Sequence, residues 1–111
     1  MNEPTQEQIK EFWEWCGLHY HGEAGELLVY APDGTVFNCG QPRIDLNNLF
    51  KYAVPKLDKM GNHLILRSHV YSESLVDSPD YEAEIAGGIK SHSIDPALAL
   101  FWAIWKVISN G

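Results

Sequence analysis

The chain has 111 residues, enough for one hydrophobic core and a single domain spanning 1–111. Apolar residues make up 45% and charged residues 21%, the balance of a folded globular protein and not of a disordered one. Its net charge of −7 repels phosphate backbones and anionic lipid, which excludes nucleic acid as a natural partner of the monomer.

Two cysteines, Cys16 and Cys39, make no disulfide framework. No basic segment followed by an apolar one opens the chain, so the expectation is a cytoplasmic protein with reduced thiols. The apolar run from Ala97 to Trp105 falls far short of the roughly 20 residues of a membrane span.

In chain order, Thr5-Gln6-Glu7-Gln8 reads as a capping box for a first helix. Ile9, Phe12, Trp13 and Cys16 follow at i, i+3, i+4, i+7, one buried helix face, and Gly17 ends it. His19 to Gly25 is polar and glycine-bearing, a loop. Leu27 to Tyr30 and Thr35 to Asn38 are two strands joined by the Pro32-Asp33-Gly34 turn. Asp45 caps a second helix with Leu46, Leu49, Phe50 and Ala53 on its apolar face, and Pro55 stops or kinks it near Ala53.

His63 to Tyr71 is the longest strand candidate, with Leu64, Leu66 and Val70 on one face. Ser72 to Asp80 reads as a surface loop. Tyr81 to Ile85 alternates, with Glu82 and Glu84 outward, and Gly87-Gly88 bends or ends that strand. Arg67 pairs best with Glu82 and Glu84 across the sheet. Ser91 to Ile94 leads into a last helix capped by Asp95, with Pro96 at its first position. The order α-β-β-α-β-β-α predicts an α+β fold: an antiparallel sheet of about four strands packed with three helices as a layered sandwich.

The last helix is the most apolar run in the chain. At roughly 100° per residue, Leu98, Phe101, Trp102, Trp105 and Ile108 share one side, widened by Leu100, Ile104 and Val107 to an arc of about 220°. Ala99, Ala103, Lys106 and Asn110 are left for the opposite strip. So wide an arc exceeds what one sheet covers. Its surplus, at Leu100, Trp105, Val107 and Ile108, is the candidate interface for a protein partner or a second copy.

Cys16, His19 and His21 are the candidate metal ligands, a thiolate and two imidazoles within six residues. Cys16 also completes the first helix's apolar stripe, which by itself accounts for it. Cys39 with His63 or His69 is a candidate nucleophilic pair. Phosphate-binding glycine motifs are absent, and no cofactor is expected.

Several stretches carry a resemblance: Phe12 to Gly17, with its Trp-Cys-Gly ending; the Pro32-Asp33-Gly34 turn; Leu46 to Pro55; and Asp95 to Leu100. Across most of its length the chain resembles small bacterial and phage or prophage proteins, similar to the phage α/β/α sandwich domain. The resemblance implies an α-β-α sandwich and a mobile-element origin, with no catalytic residues to transfer. The expectation is a non-enzymatic protein acting through protein–protein contact, with an unknown protein partner or as a homodimer. Its alternatives are a metal-dependent or cysteine-based hydrolase and an acidic decoy of DNA-binding proteins.

Overall fold

A computed structural model describes residues 3–22, 27–38, 40–69, 80–86 and 88–110. Helix α1 (Gln6–Trp15) is closed at both ends by its own sequence. Thr5 Oγ1 accepts the Gln8 N–H at 3.1 Å, and the Gln8 side chain accepts the Thr5 N–H at 2.9 Å, as a capping box requires. At the far end Gly17 N–H bonds Glu14 O and Leu18 N–H bonds Trp13 O, each at 3.0 Å. This Schellman closure needs a residue tolerant of positive φ, and Gly17 sits at +98°.

A small antiparallel sheet follows, in the order β1 (His19–His21), β2 (Leu28–Tyr30), β3 (Val36–Phe37). The hairpin turn between β2 and β3 is closed by Gly34 N–H to Ala31 O at 3.0 Å, and Asp33 Oδ1 accepts the Thr35 N–H at 3.0 Å. Residues 19–21 were expected in a loop. They pair instead with β2, His19 opposite Tyr30 and His21 opposite Leu28. An edge strand with one wet face tolerates polar residues, and both histidines point to solvent.

Helix α2 covers residues 46–59 in three stretches: α-helical at Leu46–Asn48, π-helical at Leu49–Ala53 and α-helical again at Val54–Lys59. Asp45 caps it, Oδ1 accepting Asn48 N–H at 2.8 Å. The helix does not stop near Ala53, but its π stretch ends there and an α stretch with Pro55 near its start takes over. Pro55 has no N–H for the Lys51 carbonyl, and the helix absorbs this by widening, with Val54 N–H bonding Leu49 O.

The second sheet runs β4 (Leu64–His69), β5 (Asp80–Ile85), β6 (Ile89–Ser93), all antiparallel. Val70, Tyr71 and the Ser72–Pro79 part of the expected loop lie outside the described residues. Strand β6 occupies the stretch read from the sequence as a lead-in to the last helix. The fold is therefore α+β with three helices, as expected, but its described strands number six, in two three-stranded sheets in place of one four-stranded sheet. On the outward face of the second sheet, Arg67 Nη1 lies 2.9 Å from Glu82 Oε2 and 2.7 Å from Glu84 Oε1. Glu82 is only 8% exposed, because His92 closes on it from the other side with Nε2 at 3.3 Å.

Helix α3 (Pro96–Asn110) is capped by Asp95, whose Oδ1 accepts Ala97 N–H at 2.8 Å, and it packs against β5 and β6. Its orientation corrects the sequence reading. Ala99 and Ala103, assigned to the outer strip, are fully buried, as are Leu100, Phe101 and Ile104. The sheet beneath offers buried Ala83, Ser91 and Ser93, and small side chains on both layers permit close approach. One chain of ring contacts joins the elements: Trp105–Phe101 (6.1 Å), Phe101–Phe12 (4.6 Å), Phe12–Trp13 (5.1 Å), Trp13–Tyr52 (6.3 Å) and Tyr52–Phe37 (6.3 Å). It runs from α3 through α1 and α2 to the first sheet. Trp13 is held further by its indole N–H on Pro42 O at 3.0 Å. Among the described residues, no helix is long and apolar enough to cross a membrane.

Candidate functional site

The three candidate metal ligands are not brought together. Cys16 is buried at the end of α1, and desolvation pushes its thiol up to about 12, so the metal-binding thiolate is disfavoured. His19 and His21 lie on the exposed face of β1, where the His21 ring meets the Tyr30 ring edge-on at 5.1 Å. Among the described residues, no three His, Cys, Asp or Glu side chains are arranged to hold a metal ion. Cys39 lies outside the described residues, and the nucleophilic pair with it. Of its two possible histidines, His63 is exposed just before β4 and His69 is the last residue of β4.

The candidate interface divides. Leu100 is fully buried and belongs to the core, because the helix is rotated from the expected setting. Trp105, Val107 and Ile108 remain partly exposed. The rotation adds Leu98 and Trp102, which the sequence reading had placed in the core, beside Trp105. Leu98, Trp102 and Trp105, at i, i+4, i+7, are all partly exposed, and Ile94 immediately before the helix is 76% exposed. Phe101 supports this stripe from beneath, its ring 5.0 Å from Trp102 and stacked on Trp105.

A second place collects polar groups that the sequence reading did not single out. A cleft of about 480 Å³ lies where the end of α1, the β2–β3 turn and one side of α2 meet. Cys16, Pro32, Asp33, Lys51, Tyr52, Pro55, Lys56, Lys59 and Met60 line it. The turn is held close to α1, for a Cβ at Gly17 would stand 3.3 Å from Pro32 Cγ. Lys51 Nζ pairs with Asp33 Oδ2 at 3.1 Å, and the Tyr52 hydroxyl donates to the same carboxylate at 3.3 Å. The Thr35 N–H and Lys51 hold the Asp33 carboxyl down to about 2. Lys56 donates to Trp15 O and lies 4.3 Å above the Trp15 ring, an ammonium fixed by a carbonyl and a π face.

Helical periodicity puts Tyr52, Pro55, Lys56 and Lys59 on one face, at i, i+3, i+4 and i+7, but leaves Lys51 off it. In a regular α-helix, residues 51 and 56 point about 140° apart. The π turn, bonding residues five apart, brings both to one cleft. The legible clue is three lysines within nine residues of an acidic chain.

No family model, curated protein or solved structure matches the chain.

Proposed function

We propose that the chain is a non-enzymatic protein that works through protein–protein contact, with the partly exposed stripe of α3 as the contact and a second copy as its occupant. One observation carries the reading: Ile94, 76% exposed before the helix, and Leu98, Trp102 and Trp105 along it stay accessible, while Leu100, Phe101 and Ile104 fill the core. Exposed apolar and aromatic rows of this kind mark partner surfaces, and Trp is the residue most enriched where binding energy concentrates. Two copies of α3 laid antiparallel oppose their helix dipoles, an arrangement that pairs with itself. Three side chains read from the sequence as possible chemistry are tied into the fold: the Cys16 thiol is buried, and Glu82 and Glu84 both pair with Arg67. The resemblance drawn from the sequence supports placing this role in a phage or prophage.

Ile94→Glu and Leu98→Glu test the proposal. Each puts a charge into the contact, and at Ile94 no packing is lost. Both variants are expected to stay folded by circular dichroism and to lose the self-association that chemical cross-linking is expected to show for the unaltered protein. Undiminished cross-linking in the two variants contradicts the proposal.

A further inference from the structure

We propose that the cleft between α2 and the β2–β3 turn binds a phosphate monoester carried on an apolar or aromatic body. Charge is the first argument. Of eight basic residues, three line this cleft; of fifteen acidic ones, Asp33 alone does so among the described residues. A chain of net charge −7 thus holds a pocket of formal charge +2, with Lys51, Lys56 and Lys59 set against Asp33. A phosphate monoester carries about −1.5 to −2 at neutral pH and matches that charge. The described lining holds lysines and no arginine; lysines act on a phosphate as compact point charges, so charge and volume, not a planar fork, define the ligand here.

Shape is the second argument. The cleft's volume falls within the range of small-molecule sites. Pro32, Pro55 and Met60 give it rigid and adaptable apolar walls, and Met60 is half exposed there. Lys56 is held in place by the Trp15 carbonyl and ring, so the ligand need not order it. Lys59 makes no ion pair among the described residues and is free to meet the anion.

The roles of Lys and Asp side chains have opposite signs, which makes the proposal sharp. Phenyl phosphate is titrated into the folded protein at low salt, and backbone amide shifts of residues 31–35 and 51–60 are followed by NMR. Inorganic phosphate and phthalate serve as parallel probes. Phenyl phosphate is expected to bind more tightly than either, and salt to weaken it. Lys51→Gln and Lys59→Gln each weaken it by about threefold or more, by loss of one nearby charge. Asp33→Asn keeps an acceptor for the Thr35 N–H and tightens binding. Absence of shifts at millimolar phenyl phosphate overturns the proposal. So does phthalate binding as tightly as phenyl phosphate, or Asp33→Asn weakening the site. Circular dichroism of each variant separates lost binding from lost fold.

Discussion

Asp33 shows how one side chain serves two structures. Its carboxylate accepts the Thr35 N–H that shapes the hairpin turn, and it pairs with Lys51 across to α2. These partners favour the charged form, so its folded value of about 2 lies below the ordinary 3.8. A depressed carboxyl contributes stability that is present above the unfolded value and lost as pH falls through the folded one. Acid titration of the folded protein is therefore expected to release the hairpin from α2 between pH about 4 and about 2. Asp33→Asn removes that acid step, read as the pH dependence of the Thr35 amide shift. At this scale the sequence was most legible where a side chain bonds backbone within three residues. Thr5 with Gln8, Asp45 with Asn48 and Asp33 with Thr35 follow from local chemistry alone. Lys51 was not legible, because its partner comes from a turn eighteen residues away.

The elements were legible in type more than in setting. Helix α1 follows its apolar spacing, with Phe12, Trp13 and Cys16 buried as expected. Gly17 stops it for two reasons that coincide: positive φ, and the closeness of Pro32. Gly17→Ala is expected to cost about 1–2 kcal/mol from the left-handed backbone alone, measured by urea denaturation. The strands β1 and β6 escaped the sequence reading because their pairing partners, not their own alternation, make them strands. His19-Tyr20-His21 is paired by β2, and Ile89 to Ser93 by β5. In α3 the sequence showed how much apolar surface there was but not which way it turned. Leu98 and Trp102 were assigned to the core, whereas close approach to Ala83 and Ser91 puts Ala99 and Ala103 inward and leaves Leu98 and Trp102 partly outside beside Trp105.

Across the whole molecule, the two sheets share a core through the aromatic chain from Trp105 to Phe37. Phe12 is its junction, touching Trp13 on its own helix and Phe101 on α3. Phe12→Ala removes a fully buried ring from that junction and is expected to cost about 3–5 kcal/mol. Because the core is one cluster, unfolding followed by Trp fluorescence and by far-ultraviolet dichroism should coincide in the parent protein. Two separated transitions would show that the sheets fold independently.

The same packing leaves the α3 stripe as apolar surface available for contact, and self-association through it is the central claim. Sedimentation velocity over a dilution series, from low micromolar to millimolar, tests it most directly. The account predicts a weight-average mass rising from 12.5 kDa toward twice that value, with Ile94→Glu holding the protein at 12.5 kDa throughout. A mass of 12.5 kDa at every concentration for the unaltered chain contradicts it.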